Sequence, residues 1–304
     1  MSNKMAPVGW QGITLRAPAD WSLVGVSGDR TKGYFRVDSP VASVLEVKWF
    51  PAGGCAPDLA VKAREFAGAM EKASRKSRER FTSKIKPGRD PQDPVDFSWK
   101  SDRVAKGRII YCAECDRVII AQIVMLRDEN ITHVIPGVLA SIKDHRADGW
   151  TDWALYGLEL AVPPNYKIEK QTLMSGYLSL TFRNRSQVIV VDRWGFASTL
   201  IGENTVEEWF KREIVPDIKG FKLAFEECEI ASHPGVRVYG RRVGLKQAVK
   251  ALVKSVTLHP HPSWLTAFAW KCDESNRLFS VRATRVQDDD AALQVRNTIT
   301  CHGK

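Results

Sequence analysis

Long apolar runs are missing from this sequence. None approaches the roughly 18 residues that a membrane-crossing helix needs, so a helical membrane protein is not expected. The opening MSNKMAPVGW has no apolar signal core and no small-residue cleavage site, which argues against secretion. Cysteine is sparse, with six residues (55, 112, 115, 228, 272 and 301) scattered over 304. That is far below the density of a disulfide scaffold, and with no export signal the thiols read as reduced and the location as cytoplasmic. Several chemical signatures are absent as well: Gly-x-x-x-x-Gly-Lys, Gly-x-Gly-x-x-Gly, Gly-x-Ser-x-Gly and His-Glu-x-x-His. The stretch GVSGDRTKG at 25–33 is glycine-rich and basic, but it joins two strands without opening a helix and reads as a turn. No residue is assigned a catalytic role, and no cofactor is expected unless zinc sits at the cysteines.

Negative charge is the minority sign. Asp and Glu number 35 against 45 Lys and Arg, for a net charge of +10. From Lys62 to Arg89 ten Lys/Arg face three Glu, so much of the excess lies on one segment. Its cations Lys72, Arg75, Lys76, Arg78, Arg80, Lys84, Lys86 and Arg89 could track phosphates, with steep salt dependence and little sequence choice. A charge run is ordinarily one solvated face, and no interleaved aromatics offer stacking platforms here.

What the sequence does contain is itself, twice. GITLRAPADWSL from Gly12 answers GLELAVPPNYKI from Gly157, and Trp49 answers Trp194, both at an offset of 145. GYFRV at Gly33 pairs with GYLSL at Gly176, and PVDFSW at Pro94 with PGVRVY at Pro234. YCAECDRVII from Tyr111 shares its frame with KCDESNRLFS from Lys271, and SIKDH ending at His145 answers TITCH ending at His302. Ordered matches at nearly constant offset mark a duplication. The expected domains are residues 1–147 and 148–304. The offset grows by about twenty residues within 242–264, where Leu245, Ala248, Leu252 and Val256 form an apolar stripe opposite Lys246, Lys250 and Lys254. That pattern is an inserted basic amphipathic helix, stopped by Pro260 and Pro262, and it is a second candidate polyanion surface.

Within each half, period-2 alternation predicts strands at Ile13–Leu23, Tyr34–Val37 and Val44–Phe50. A helix is predicted along the stripe Leu59, Ala63, Phe66, Met70, Ala73, Ser77 and Phe81. Thr205 and Glu208 form a capping box, and carboxylates at 288–290 suit the start of a last helix. Two further strands meet at the cysteine frame, and a closing helix carries Ile131, Val134, Ile135, Val138, Leu139 and Ile142. This order, with its opening strands ITLRAPADW and LELAVPPNY and its long hairpin running into a final helix, resembles the PsbP-like family. The resemblance implies an α+β fold, two tandem α/β/α sandwiches each with a mainly antiparallel sheet flanked by helices. It also implies a non-catalytic platform that binds other macromolecules, here a protein partner.

The Cys-x-x-Cys of Cys112 and Cys115 could supply two zinc ligands from one knuckle. Asp144 and His145 are candidates beside it, as are Cys272, Cys301 and His302 in the second half. Chain geometry opposes this. A strand from Asp116 to Leu126 covers about 33 Å, whereas a helix from Ile131 to Lys143 returns about 18 Å, which leaves His145 short of the cysteines. Ser275 also stands where a second cysteine would be expected. The bend therefore reads as a strand turn, with His145 and His302 as cations near helix C-termini.

Overall fold

The computed structural model describes residues 4–42, 44–76, 80–126, 131–174, 176–243, 262–285 and 290–302. The chain divides into two compact units, Met1–Gly157 and Leu158–Lys304. Unit 1 opens with β1 (Met5–Trp10), β2 (Ile13–Pro18), β3 (Ser22–Gly28), β4 (Gly33–Asp38) and β5 (Val44–Pro51), followed by α1 (Leu59–Lys76). It continues with β6 (Thr82–Lys86), β7 (Val95–Lys100), β8 (Val104–Cys112), β9 (Arg117–Met125), α2 (Ile135–Ala140) and β10 (Thr151–Leu155). Unit 2 contains β11 (Leu158–Val162), β12 (Lys167–Leu173), β13 (Tyr177–Asn184), β14 (Gln187–Gly195), α3 (Ala197–Ile201) and α4 (Val206–Glu213). A one-turn 3-10 helix at Val215–Asp217 leads to β15 (Phe221–Ile230), β16 (His233–Arg242), β17 (Trp264–Cys272), β18 (Arg277–Arg285) and α5 (Ala291–Thr298).

Each unit is built on a seven-stranded antiparallel sheet. The order in unit 1 is β3-β4-β5-β9-β8-β7-β6, and unit 2 follows the same order as β12-β13-β14-β18-β17-β16-β15. The central strand β9, RVIIAQIVM, is buried at all nine positions, as expected where both faces of a sheet are covered. On one face α1 lays Leu59 and Ala63 over Val95, Phe97, Ile109, Val118 and Ile120. On the other, α2 packs against β8, β9 and β2, and β2 also pairs with β1. In unit 2, α3 and α4 bring Ala197, Ile201, Trp209 and Phe210 onto Val236, Val238, Leu265, Ala267 and Ala269. There α5 packs on β11, β17 and β18. Burying each of the Leu, Val, Ile and Phe side chains among them is worth about 1.5–3 kcal/mol.

The helix-flanked α/β/α sandwich and the α+β class inferred from the PsbP-like resemblance do not stand. The described residues are mostly strand, in large antiparallel sheets with few helices. The closing helix expected over 131–142 shrinks to the six residues of α2, with Pro136 in its first turn. Lys143 then leaves helical geometry to bridge Thr14, exchanging backbone hydrogen bonds of 2.8 and 2.9 Å. Phe81 is no part of the α1 stripe; it lies beyond the helix and stacks on Trp99 at 6.0 Å. The capping box is present, with Thr205 accepting from the Glu208 amide and Glu208 from that of Thr205. The inserted helix expected within 242–264 falls largely on residues 244–261, outside the described residues. Among the described residues no helix is long and apolar enough to cross a membrane.

Candidate functional site

The two cysteine frames form the same bend. β8 closes onto β9 at Cys112↔Arg117, and β17 onto β18 at Cys272↔Arg277. Four residues lie between, and the last of them, Asp116 or Asn276, has φ near +47° or +49°. Asp and Asn tolerate this left-handed conformation better than other side chains that carry a Cβ. Over each bend runs the stretch that follows the closing helix. It is pinned by the bridge Thr14↔Lys143 in unit 1 and by Glu159↔Thr300 in unit 2. The next two residues, Asp144 and His145 or Cys301 and His302, are thereby held against the bend. His145 is not left short of the cysteines, because residues beyond α2 run extended, gaining about 3.3 Å each instead of a helix's 1.5 Å.

In unit 1, His145 Nδ1 lies 3.2 Å from Cys112 Sγ and 3.5 Å from Cys115 Sγ. The Cys115 amide donates to Cys112 Sγ at 3.4 Å. The other imidazole nitrogen, Nε2, stands 2.7 Å from Glu114 Oε2. Asp144 completes the group and is gripped by Arg117, whose Nε donates to Oδ2 at 3.0 Å and whose Nη2 donates to Oδ1. Burial pushes the Cys112 thiol up, and pushes Cys115 up to about 12 with help from the Asp144 charge. Beside the cluster opens a cavity of about 370 Å³ bordered by Arg30, Thr31, Glu114, Cys115 and His145.

Unit 2 gathers a different set at the same place. His302 Nδ1 lies 3.4 Å from Cys272 Sγ, 3.2 Å from Cys301 Sγ and 3.3 Å from His233 Nε2. His233 Nε2 is also 3.5 Å from Cys301 Sγ. Cys272, Cys301 and His233 are buried, and burial pushes Cys301 up to about 11. Glu274, the counterpart of Glu114, borders the cluster at 3.6 Å from His233 and 3.7 Å from His302. Ser275 Oγ, at the place of Cys115, is buried without a hydrogen-bond partner. Sequence reasoning missed His233, which begins β16.

The basic residues of the sequence reading are dispersed. Lys72 and Arg75 are exposed on α1, where Arg75 pairs with Glu71 at 2.8 Å, and Lys76 ends the helix. Arg80 and Arg89 are exposed in loops, and Lys84 and Lys86 lie on the edge strand β6, where lysines discourage edge-to-edge pairing. Arg78, Lys246, Lys250 and Lys254 lie outside the described residues.

A second cationic surface went unnoticed in the sequence. On one face of the unit 2 sheet the Arg237 guanidinium sits 4.4 Å from the Tyr239 ring centroid and 5.5 Å from that of Phe268. Arg296 stacks on Phe268 at 5.1 Å, and Arg241 on Trp264 at 5.3 Å. Lys222, Arg237, Tyr239, Arg241, Trp264 and Asp290 border a cavity of about 400 Å³ there. The Tyr239 hydroxyl donates to Glu226 at 3.2 Å.

No family model matches the sequence, and no curated protein matches it. Solved structures that align include a chain of the Tle4–Tli4 complex, at 10% identity and TM-score 0.34 over 99% of this chain and 97% of that one. Another is the type VI secretion immunity protein TplEi from Pseudomonas aeruginosa, complexed with a peptide, at 9% identity and TM-score 0.32 over 99% of each chain. Both superpositions are loose, and neither sets the fold or the function of this chain.

Proposed function

We infer that this chain is a non-catalytic protein-binding molecule that engages an acidic partner surface through the arginine–aromatic face of unit 2. The observation that carries the reading is the stacking of Arg237 on Tyr239 and Phe268. Arginine and aromatic side chains are the usual anchors of protein interfaces, because each offers broad contact area together with directed polar groups. Stacking also holds the guanidinium fork in one orientation before a carboxylate arrives. None of the ion pairs among the described residues involves Arg237 or Arg241, which leaves both guanidinium charges for a partner. The net charge of +10 draws an acidic surface in from a distance. None of the six cysteines forms a disulfide, which suits a reducing cytoplasm.

The test is affinity capture with the full chain, comparing wild type with R237E/R241E and with K84E/K86E. A protein retained by wild type and by K84E/K86E, lost with R237E/R241E and released by moderate salt, supports the reading. Equal retention by R237E/R241E, no retained protein, or nucleic acid as the retained species overturns it.

A further inference from the structure

We propose that the chain binds two zinc ions, one at the cysteine bend of each unit, through Cys112, Cys115, Asp144 and His145 and through His233, Cys272, Cys301 and His302.

The donors are spaced as zinc requires. In each group the four ligand atoms lie within 4.8 Å of one another. Tetrahedral zinc, with Zn–S of about 2.3 Å and Zn–N of about 2.0–2.1 Å, sets sulfur and nitrogen about 3.5 Å apart and two nitrogens about 3.3 Å apart. Three of the four unit 2 sulfur–nitrogen separations run from 3.2 to 3.5 Å, and its two nitrogens are 3.3 Å apart. In unit 1 the two sulfur–nitrogen separations are 3.2 and 3.5 Å. These separations match the ones a tetrahedral zinc ion sets between its sulfur and nitrogen donors. Two thiolates with two imidazoles is a donor set for zinc, not for magnesium or calcium.

The two repeats also differ at their bends in a coordinated way. If the bend were only a turn, its thiols would have no reason to be replaced in step. Ser275 removes the sulfur that Cys115 supplies in unit 1. At the position of Asp144, unit 2 carries Cys301, so each cluster keeps two sulfurs and one histidine from the pinned stretch. The fourth donor is Asp144 in unit 1 and His233 in unit 2. The exchange preserves the coordination chemistry while changing which positions deliver it.

The surroundings complete the design. The Cys115 amide donates to Cys112 Sγ, a bond that favours the thiolate. Glu114 takes His145 Nε2, which leaves Nδ1 to face the metal, the usual outer-shell arrangement of a zinc histidine. A carboxylate has lone pairs enough to bind Arg117 and a metal together, so the grip of Arg117 aims Asp144 without disqualifying it. On binding, each thiol releases its proton to solvent as the Zn–S bond forms. Unit 2, with three of its four ligands buried, forms the closed and tighter site, and unit 1, beside its cavity, exchanges faster.

The experiment is elemental analysis of the full chain purified under reducing conditions without chelating resin, followed by reloading with cobalt(II). Two zinc per chain are expected, with tetrahedral cobalt–thiolate absorption bands after exchange. C272S/C301S and C112S/C115S should each retain one zinc, and C55S should retain two. Wild-type protein holding no zinc and giving no thiolate band with cobalt overturns the proposal even if every cysteine variant misfolds. Two zinc retained by either double variant does so too, as does a disulfide between Cys272 and Cys301 in protein that takes up no metal.

Discussion

His145 Nε2 stands 2.7 Å from Glu114 Oε2, while Nδ1 on the same ring faces the sulfurs of Cys112 and Cys115. The carboxylate thus decides which nitrogen of the imidazole is offered to a metal. We expect Glu114→Ala to weaken zinc binding in unit 1 about 10–100-fold and Glu114→Gln to restore part of it. Competition against a colorimetric chelator, with unit 2 as the internal reference, measures both.

Arg117 and Asp144 form an ion pair whose side chains are 4% and 6% exposed. Arg117 also donates to the Arg30 carbonyl at 2.6 Å, tying the β3–β4 turn to the bend. In protein stripped of zinc, Arg117→Ala leaves a buried carboxylate unpaired and should cost about 3–5 kcal/mol. Urea unfolding followed by circular dichroism reads the loss. An unchanged midpoint would mean that Asp144 finds solvent or another cation.

Two glycines of unit 1 separate crowding from backbone freedom. A Cβ on Gly107, in the middle of β8, would meet the Ala121 carbonyl oxygen at 2.6 Å and the Phe97 ring at 2.3 Å. Gly107→Ala should therefore destabilise by about 1–3 kcal/mol. A Cβ on Gly137, exposed on α2, meets nothing within 4 Å. Gly137→Ala should stabilise by about 0.5–1 kcal/mol through lower unfolded-state entropy. Thermal unfolding of the two variants should shift in opposite directions.

The capping box of α4 gives a smaller effect. Thr205→Ala removes the acceptor for the Glu208 amide and should cost about 1 kcal/mol, while Thr205→Ser should cost little. Denaturant midpoints of the two variants check the difference.

The strands were legible because alternation and continuous apolar runs are local signals. The apolar run Val118–Ala121 of β9, the turn at Asp29 and the Thr205 cap could each be read from a few neighbouring residues. The matched bends were legible because the chain states them twice. The extent of the helices was not. The stripe from Ile131 to Ile142 has helical period, yet Pro136 and the Thr14↔Lys143 bridge confine α2 to six residues. That single error moved His145 away from Cys112 and Cys115, beside which it lies at 3.2 and 3.5 Å. His233 was hidden for another reason. By strand register its counterpart in the first half is Gln92, so the repeat offered no histidine to match. The stacking of Arg237 on Phe268 joins β16 to β17 across a register that no local pattern reveals.

The strand order carries a consequence for synthesis of the chain. β5 finds its inner neighbour only in β9, and β14 only in β18, so each sheet's middle seam joins segments made far apart in time. Until Arg117–Met125 leaves the ribosome, Leu45, Val47 and Trp49 lack the strand that lies beside them in the native sheet. Such non-local pairing makes for slow folding, with the entropy of closing the intervening loop lost before the contact is gained. A nascent chain of this design passes through an interval of sticky, half-built sheet, once for each unit.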